Sequence, residues 1–428
     1  MKHKLEDINI GIVGLGYVGL PLACLFAGKY RVTGTDINPA RVAEISGGTD
    51  STGELSDEEL AQALADGLTV TAGISDMARC NVYIVTVPTP VDADNMPDLT
   101  PLREASRHVA SVLRQGDIVI YESTVYPGAT EDECVPLLEE GSGLLYNRDF
   151  FVGYSPERVN PGDKDHRIEN ISKITSGSTA EAAEFVDRLY ASVLKAPTCR
   201  AASIKTAEAA KVLENTQRDI NIAFINEAAM VFNALGIDTA EVLEAASTKW
   251  NFVHIKPGLV GGHCIGVDPY YLIYKARESG TDPRLMSEAR RVNNYIGEYV
   301  ACRVRHLMKE KSIQVKDSKI LLLGFAFKEN CTDVRNTKVT DLYNALSDFT
   351  HDIDIYDPHV DPARAKAITG MTVLNELPPE EKRQYDAVIY CVDHREFAKL
   401  DIKRMLRHNA VVYDVKSALD KALVDERL

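Results

Sequence analysis

Residues 8–19, INIGIVGLGYVG, determine the architecture predicted for the first part of the chain. Its opening residues form an apolar run that predicts a buried strand. A glycine-rich turn follows, and then an apolar segment through about Ala27 predicts a helix, while RVTGTD at 31–36 predicts a second strand. Together these elements make one βαβ unit, in which a helix joins two parallel strands.

The turn carries the pattern GxGxxG at Gly14, Gly16 and Gly19. Glycines at these positions let the backbone turn tightly and approach a pyrophosphate at the N-terminus of the helix. Asp36 lies 22 residues after Gly14, at the end of the second predicted strand. A carboxylate there binds the hydroxyls of an adenosine ribose. The two signals together predict a dinucleotide-binding site.

The residues around Asp36 also bear on which dinucleotide binds. The carboxylate would repel a 2′-phosphate, and Ile37 beside it offers no cation, so the sequence favours NAD over NADP. Arg41 is a nearby cation and keeps NADP as the alternative.

Two further segments, VPTP at 87–90 and EST at 122–124, each follow a predicted strand at its carboxyl end. Ligands bind at that edge of an open parallel sheet, so both segments are predicted to contact the cofactor. The alternative is that Pro, Ser and Thr only terminate the strands. The predicted cofactor-binding residues of this half are Gly14, Gly16, Tyr17, Val18, Gly19, Asp36, Arg41, Pro88, Thr89, Ser123 and Thr124.

The chain has 428 residues, of which 45% are hydrophobic, and is therefore long enough for two or three domains. Apolar runs at 81–87, 117–123 and 150–156 alternate with helical segments, which predicts a parallel, doubly wound sheet ending near residue 200. From Lys205 to about Leu235 the sequence is rich in helix formers and predicts a long connecting helix.

After a further predicted helix at 283–312, the strand pattern resumes. The strand-like runs lie at 319–327, 352–358, 386–393 and 410–415. We therefore predict an α/β fold with two Rossmann-like doubly wound domains joined by a long central helix. The predicted domains are 1–200, 201–312 and 313–428.

The net charge of −15 argues against a nucleic-acid or anionic-membrane binder, because such proteins need a basic face. An anionic ligand must then meet local positive charge. The eight cysteines include no CxxC pair and no clustered His/Cys spacing. We therefore predict no metal site and no disulfide framework, as in a reducing cytoplasm. With no apolar signal region and no run of 18 apolar residues, neither export nor a membrane span is predicted.

Lys211, Asn215 and Arg218 lie at positions i, i+4 and i+7 of the long predicted helix and so share one face. Two cations and an amide would then point the same way, as in an anion-binding site. The alternative is a solvated polar face, with Glu208 and Glu214 close by.

The segment GGHCIGVDPY at 261–270 places Cys264 behind two glycines. Glycines keep a thiol uncovered, and the following Asp268-Pro269 predicts a loop, where catalytic groups are often carried. His263 is either a proton acceptor or an ordinary loop residue. The other seven cysteines are expected to be buried and inert.

An NAD site and a nucleophilic cysteine together indicate a four-electron oxidation. Hydride transfer converts an alcohol to an aldehyde, which loses a second hydride only after something adds to its carbonyl. A thiolate forms a thiohemiacetal that can be oxidised to a thioester, and water then releases the acid.

Motifs along the whole chain resemble those of the nucleotide-sugar 6-dehydrogenases, typified by UDP-glucose and GDP-mannose dehydrogenases. They are GLGYVGLP at 14–21, VPTP at 87–90, EST at 122–124, YSPERVNPG at 154–162, AAKVLENTQRDINIAFINE at 209–227, GGHCIGVDPY at 261–270 and GFAFKENCTDVRNTK at 324–338. The resemblance implies an NAD-binding domain, a central helix that forms much of a homodimer interface, and a C-terminal UDP-binding domain.

The resemblance also implies roles for individual residues. Cys264 corresponds to the nucleophile, and Lys211 and Asn215 to a pair that stabilises negative charge on the C6 oxygen. Asp268 corresponds to the carboxylate behind the cysteine, and Thr124 to a hydroxyl that positions water. Glu157 corresponds to a carboxylate for thioester hydrolysis, Lys328 to a substrate-binding residue and Arg335 to a residue that reaches the cofactor.

The segment SPERVNPGDKDHRIENISKITSGS at 155–178 resembles the branch that acts on UDP-N-acetylhexosamines, notably the Vi-capsule and O-antigen enzymes for UDP-N-acetylglucosamine and UDP-N-acetylgalactosamine. An arginine common before the cysteine loop in related enzymes is replaced around 249–251, and His254 or Lys256 are candidate substitutes. The substrate-binding residues so implied are Glu157, Arg158, Val159, Asn160, Lys211, Asn215, Arg218, His254, Gly261 and Lys328.

The predicted activity is the oxidation of such a sugar at C6 with two NAD, for a bacterial surface polysaccharide. The alternatives within the class are UDP-glucose and UDP-N-acetylmannosamine oxidation. Outside it, a two-electron hydroxyacid dehydrogenase would need no thiol. A catalytically silent sugar-nucleotide sensor would not need Cys264, Lys211 and Asp268, all of which are present.

Overall fold

The structure is a computed structural model that describes residues 4–158, 167–262, 264–379 and 384–428. The chain divides into two compact units, and each is described by itself. Unit 1 consists of Met1–Glu214 and Tyr270–Gly280, and unit 2 of Asn215–Pro269 and Thr281–Leu428.

Unit 1 is built on a sheet of eight strands, counted over the described residues, in the order β3-β2-β1-β4-β5-β6-β7-β8. The first six strands of this order, from β3 through β2, β1, β4 and β5 to β6, are parallel. Strand β7 pairs antiparallel with β6, and β8 is parallel to β7. The strand bounds are β1 Asn9–Val13, β2 Arg31–Thr35, β3 Thr69–Thr71, β4 Val82–Val85, β5 Ile118–Tyr121, β6 Phe151–Tyr154, β7 Lys173–Gly177 and β8 Thr198–Arg200.

Helices connect and cover the strands of unit 1. The central strands β4 and β5 are buried along their whole length, as expected for a sheet with helices on both faces. The helices are α1 Gly19–Ala27, α2 Pro39–Ser46, α3 Asp57–Ala65, α4 Thr100–Ala110, α5 Val135–Ser142 and α6 Ala180–Ala191. The doubly wound first domain predicted from the apolar runs is confirmed.

The long predicted helix is α7, Ile204–Ala234. No proline or glycine interrupts it, and Gly236 beyond its end has φ +70°, a conformation that favours glycine and ends the helix. Three helices follow: α8 Thr239–Ser247, α9 Asp268–Glu278 and α10 Arg284–Glu310. The last of these confirms the helix predicted at 283–312.

Unit 2 contains a parallel sheet with the strand order β10-β9-β11-β12-β13 among the described residues. The bounds are β9 Lys319–Leu323, β10 Asp352–Tyr356, β11 Tyr385–Tyr390, β12 Leu406–Asp414 and β13 Glu426–Arg427, with helices α11 Val339–Ser347 and α12 Pro362–Thr369. Side chains of α10 and α11, including Ile296, Val300 and Leu342, pack in one core with Ile320 and Leu322 of β9. The prediction of a second α/β domain is confirmed.

Across the residues that the structure describes, no helix combines the length and the apolar character needed to cross a membrane.

Candidate active site

The glycine turn of unit 1 has a backbone that side chains would disrupt. Gly14 donates its N–H to the carbonyl of Thr35 at 2.8 Å and has φ +95°. A Cβ on Gly19 would lie 1.9 Å from the carbonyl oxygen of Gly14, so only glycine fits there. A Cβ on Gly16 would meet nothing within 4 Å. The turn therefore leaves a groove beside its backbone, next to the start of α1, where a pyrophosphate fits.

Asp36 lies directly after β2 and faces this turn. Its Oδ2 accepts the N–H of Leu15 and its Oδ1 that of Asn38, both at 2.9 Å. The carboxylate is half-buried, and each oxygen keeps a second lone pair. It is thus fixed by the backbone and still able to accept two ribose hydroxyls. The residues present fit an adenosine dinucleotide.

Arg41, which kept NADP as an alternative, is engaged inside the protein. Its side chain is buried and donates to the carbonyl of Leu15 at 3.0 Å, to Glu44 at 2.8 Å and to Asp50 at 2.7 Å. Burial would raise the pKa of Asp50, but the hydrogen bond from Arg41 holds that pKa below its ordinary value. Since two carboxylates already neutralise the guanidinium, it is poorly suited to a 2′-phosphate, which agrees with NAD.

The two strand-end segments are joined to each other and to the glycine turn. Thr86 donates to the carbonyl of Gly14 at 2.7 Å, and Ser123 to that of Val87 at 2.6 Å. Thr89 donates to the carbonyl of Thr124 at 2.7 Å. Some of the hydroxyls therefore fix the loops, in agreement with the alternative that Ser and Thr here serve to end the strands. The same bonds bring VPTP and EST to the sheet edge that carries the glycine turn.

A buried ionic network lies at the ends of β5 and β6 and at the start of β7. The ammonium of Lys173 is 2.8 Å from Glu122 and 3.0 Å from Glu157, and Tyr190 donates its hydroxyl to Glu122. Glu157 was predicted as a catalytic carboxylate. Glu122 was predicted only as part of the cofactor-contacting segment 122–124. Lys173 and Tyr190 were given no role, because nothing local in the sequence links them to the two glutamates.

Lys211 of α7 belongs to unit 1 and is buried. Glu208, one turn before it, is also buried and accepts the N–H groups of Gly128 at 2.5 Å and Thr130 at 2.9 Å. Burial raises the pKa of Glu208 to about 6. Lys211 and Glu208 are therefore not part of a solvated polar face, which was the alternative interpretation of this helix. Arg158, a predicted substrate residue, pairs with Glu214.

In unit 2 the predicted catalytic residues Asn215 and Asp268 are in contact. Both are buried, and the Nδ2 of Asn215 donates to Oδ2 of Asp268 at 2.5 Å. The Oδ1 of Asn215 has no hydrogen-bond partner among the described residues. Because an amide nitrogen has a second hydrogen, Asn215 can still donate to a ligand. Arg218, one turn further along, is exposed.

The cysteine loop owes its two glycines to close packing. A Cβ on Gly261 would lie 2.6 Å from the carbonyl oxygen of Asn336, and one on Gly262, whose φ is +83°, 2.7 Å from the ring of Phe327. The loop therefore lies against the segment 327–336. Beyond the glycines, the carbonyl of Cys264 accepts the N–H of Asp268 at 2.8 Å. Cys264 is half-buried.

The loop is also held from its other end by a buried polar network. The side chain of Asn226, on α7, accepts the N–H of Gly258 at 2.8 Å and donates to the carbonyl of the same glycine at 3.1 Å. Asn226 also donates to Asn293 of α10, which donates to Asp219. Asp219 receives the guanidinium of Arg290 at 2.5 Å. None of these residues was given a role from the sequence, although Asp219 and Asn226 lie within a motif that carried the family resemblance.

The remaining cysteines only partly match the expectation that all seven are buried. Cys80, Cys134, Cys331 and Cys391 are buried. Cys24 and Cys302 are half-buried, and Cys199 is exposed because it lies on the short outer strand β8. Burial raises the pKa of Cys24 to about 12 and that of Cys80 to about 11.

A cleft in unit 2 collects positive charge. It is lined by Gly261 of the cysteine loop and by Lys328, Lys338 and Lys416. This is the local positive charge that an anionic ligand needs on a chain of net charge −15. The ammonium of Lys328 lies 5.5 Å from the centre of the Phe327 ring. Arg335 binds Asp333 through its Nη2 at 2.7 Å, and His254 is exposed.

The predicted catalytic residues divide between the units: Thr124, Glu157 and Lys211 belong to unit 1, and Asn215, Cys264 and Asp268 to unit 2. Three residues singled out in the sequence, Val159, Asn160 and His263, lie outside the described residues.

The glycine turn, Asp36 and the second α/β sheet define an NAD-dependent oxidoreductase with a cysteine loop. Comparison with known proteins specifies the family. The chain matches the UDP-glucose/GDP-mannose dehydrogenase family in its NAD binding domain (residues 8–194), central domain (205–295) and UDP binding domain (321–421). The protein belongs to this family, and the resemblance noted in the sequence is confirmed.

Individual relatives are similar over the whole chain. The UDP-N-acetyl-D-glucosamine 6-dehydrogenase of Pseudomonas aeruginosa is 51% identical over 99% of this chain and 100% of the relative. The enzyme of the same name from Salmonella typhi is 49% identical over 99% of both. The solved structure of a UDP-D-ManNAc dehydrogenase from Pyrococcus horikoshii has a TM-score of 0.89 at 32% identity, covering 98% of each chain.

Proposed function

We propose that the protein oxidises C6 of a UDP-N-acetylhexosamine, UDP-N-acetylglucosamine or UDP-N-acetylgalactosamine, to the uronic acid. The overall change converts a primary alcohol, two NAD and one water to a carboxylic acid, two NADH and two protons. The two relatives at about half identity, both named UDP-N-acetyl-D-glucosamine 6-dehydrogenases, support this substrate class over UDP-glucose and UDP-N-acetylmannosamine.

The observation that carries the mechanism is the arrangement around Cys264. The thiol is half-buried in a glycine-rich loop, its backbone carbonyl is bonded to the N–H of Asp268, and Asp268 holds the amide of Asn215. A loop built for an inert structural cysteine needs neither a buried carboxylate nor a buried amide. A nucleophile that must approach a carbonyl uses both.

In the proposed reaction, Lys211 and Asn215 stabilise the negative charge that develops on the C6 oxygen as the alcohol gives its proton to water, and Lys211 helps to move that proton. Bound NAD supplies the oxidising power by accepting one hydride in each of the two oxidations. After the first oxidation, the Cys264 thiolate adds to the aldehyde and gives a thiohemiacetal. The second oxidation leaves a thioester on Cys264.

Hydrolysis completes the reaction. A water molecule, positioned by Thr124, loses a proton to Glu157 and adds its oxygen to the thioester carbonyl. The carbon–sulfur bond then breaks, and the electron pair returns to Cys264 as a thiolate. The uronic acid leaves with the new oxygen.

Other parts of the predicted site are assigned to binding. We propose that Lys328, in the lysine-lined cleft of unit 2, binds the diphosphate, and that Arg158, Val159, Asn160, Arg218, His254 and Gly261 contribute to the sugar-nucleotide site. Arg335 is assigned to the cofactor. The predicted domain boundaries, 1–200, 201–312 and 313–428, are kept as part of this proposal.

We further propose that the protein is a cytoplasmic homodimer that supplies a bacterial surface polysaccharide. The dimer is supported by apolar side chains that α7 and α10 leave exposed, including Phe224, Val231 and Leu285. Phe224 and Leu285 border a groove of about 530 Å³ between these helices. Exposed apolar surface of this kind marks an interaction site.

The test is turnover with a panel of UDP-sugars, with NADH counted per sugar consumed and the acid product identified by mass spectrometry. We expect two NADH per sugar and the highest kcat/KM with a UDP-N-acetylhexosamine. One NADH per sugar would indicate a two-electron dehydrogenase, and ligand binding without turnover would indicate a sugar-nucleotide sensor. Either result would overturn the proposal.

A further inference from the structure

Lys173 is a fully engaged cation inside unit 1. It is 4% exposed and lies at the start of β7. Its ammonium donates to Glu122 at 2.8 Å, to Glu157 at 3.0 Å and to the carbonyl of Pro156 at 3.3 Å. An ammonium has three hydrogens, so these contacts use all of them and fix the side chain in one geometry.

The two carboxylates bound to Lys173 differ in their access to solvent. Glu122 is 3% exposed, and its other oxygen accepts the hydroxyl of Tyr190. Glu157 is 9% exposed, and its Oε1 accepts the N–H of Arg158 at 2.6 Å. Glu157 is therefore the member at the rim of the network, and Glu122 is the member sealed behind it.

One cation is shared between two acids. Burial alone would lower the pKa of Lys173, but Glu122 and Glu157 raise it above its ordinary value. Burial raises the pKa of Glu122 to about 6, against the attraction of Lys173. Lys173 is thus a permanent cation, and the charge of Glu122 changes in the weakly acidic range. Among the described residues, the charged and titratable groups that contact Glu157 or its partners include Lys173, Glu122, Tyr190, Arg158 and Glu214.

We propose that Lys173 is a positioning residue that holds the carboxylate of Glu157 in place as the base for thioester hydrolysis, and that Glu122 competes with Glu157 for the same cation. The inference rests on the proposed function, in which Glu157 takes the proton of the attacking water. It adds a requirement that the reaction itself does not impose. The ammonium of Lys173 lies 3.0 Å from Glu157 and so fixes the direction in which this carboxylate points.

Two substitutions should move the pH dependence of hydrolysis in opposite directions. In Lys173→Met the two carboxylates lose the cation that they share, so the acid limb of hydrolysis should move to higher pH. In Glu122→Gln the competing charge is gone, and Lys173 acts on Glu157 alone. A loss of fold or of packing would not produce shifts of opposite sign. Lys195→Met is the matched control, because Lys195 belongs to the same unit and its side chain is 74% exposed.

The measurement follows the sugar adduct on the protein. Full-length enzyme is mixed with NAD and UDP-N-acetylglucosamine or UDP-N-acetylgalactosamine, whichever the wild type turns over, and is quenched in acid. The adducted fraction is read from the intact mass over pH 5–9. In Lys173→Met we expect the adduct to accumulate. The pH below which its decay slows, the acid limb, should be higher than in the wild type by about one unit or more. In Glu122→Gln the acid limb should move to lower pH, and in Lys195→Met it should lie at the wild-type pH.

Acid limbs that stay at the wild-type pH, or that move the same way in both variants, would overturn the positioning role of Lys173. If Lys173→Met does not fold, Glu122→Gln alone decides, since a limb that fails to fall contradicts the competition for the cation. A wild-type enzyme that forms no adduct and yields fewer than two NADH per sugar would instead refute the proposed function, so the two failures are distinguishable.

Discussion

At the scale of single residues, Cys264 carries the most chemistry. It is half-buried in a loop whose glycines are fixed by contacts with Phe327 and Asn336. Cys264→Ser should bind NAD and UDP-sugar as the wild type does and lose at least about 10³-fold in kcat, because a hydroxyl is a much weaker nucleophile than a thiolate. Titration calorimetry for binding and NADH absorbance for turnover provide the measurement.

The control for this substitution is Cys199→Ser, which changes an exposed cysteine on β8 and should keep full activity. Serine at 264 with wild-type steady-state rates would rule out the covalent pathway.

Asp36 provides a second test at this scale. Removing its carboxylate in Asp36→Ala deletes the acceptor assigned to the ribose hydroxyls, and NAD affinity should fall by roughly 10- to 100-fold, as for a lost charge-assisted hydrogen bond. UDP-sugar affinity should not change. Fluorescence titration of NADH measures the loss, and Asp94→Ala, at an exposed aspartate of the same unit, is the control. Unchanged NAD affinity would contradict the assignment of Asp36.

Residues were predictable where the signal is local in the sequence. The glycine turn and Asp36 lie within one βαβ unit, so their spacing alone defines the site. The pairing of Lys173 with Glu122 could not be found in this way, because the two residues are 51 positions apart and lie in separate motifs. Arg41 was visible, but only the structure shows that Glu44 and Asp50 occupy its guanidinium.

At the scale of elements, length and continuity separated what could be predicted from what could not. The helix predicted from Lys205 to Leu235 is α7, Ile204–Ala234, since strong helix formers continue over that length without glycine or proline. The short strands β3, β7 and β8 were not predicted. Each has three to five residues and is rich in Thr, Ser or charged residues, so it exists because a neighbouring strand offers hydrogen bonds.

Asp238 provides an element-scale test of stability. Its Oδ1 caps α8 by accepting the N–H of Ala240. The same oxygen accepts a hydrogen bond from the Nη2 of Arg427, on β13, at 2.8 Å. Burial would raise the pKa of Asp238, but the hydrogen bond from Arg427 and its other donors lower it from 3.8 to about 2. A depressed folded-state pKa stabilises the fold above the unfolded pKa, and this contribution is lost as pH falls toward the folded value.

Asp238→Asn keeps an N-cap acceptor and removes the charge. We expect the variant to lose about 1 kcal/mol at pH 7, which corresponds to a melting temperature roughly 1–3 °C lower. The difference in melting temperature between variant and wild type should be constant from pH 7 to pH 5. It should narrow as the pH falls from about 4 toward about 2. Differential scanning fluorimetry across this range measures it. Asp361→Asn, at the N-cap of α12, is the control. A difference in melting temperature that widens in acid would contradict the stabilising role assigned to the charge of Asp238.

At the scale of the whole molecule, the sequence predicted two α/β domains and a long helix because each is specified by repeated local patterns. Assembly is different. The apolar residues of a helix that face a partner follow the same period as those that face the core, so the sequence of α7 does not distinguish them. The structure does, since Phe224 is 67% exposed and Val231, seven residues on, is 51% exposed.

These exposures lead to a test of the proposed homodimer. The side chains that border the groove between α7 and α10 include Phe224, Leu285 and Tyr295. If a second copy covers this surface, Phe224→Glu buries an unpaired carboxylate in the interface, which costs several kcal/mol and should raise the dimer dissociation constant by 10²-fold or more. Light scattering coupled to size-exclusion chromatography over a hundredfold range of concentration should give a dimer for the wild type and a monomer for the variant.

The control is Ile368→Glu, which places the same charge at another exposed apolar side chain, on α12. It should remain a dimer, because α12 lies outside the proposed interface. Val231→Glu should behave as Phe224→Glu does, since both side chains lie on the same face of α7. A wild type that is monomeric at every concentration, or a dimer that survives both α7 substitutions, would exclude this surface. In the second case the exposed face of α7 would need another partner to explain why so much apolar surface stays uncovered.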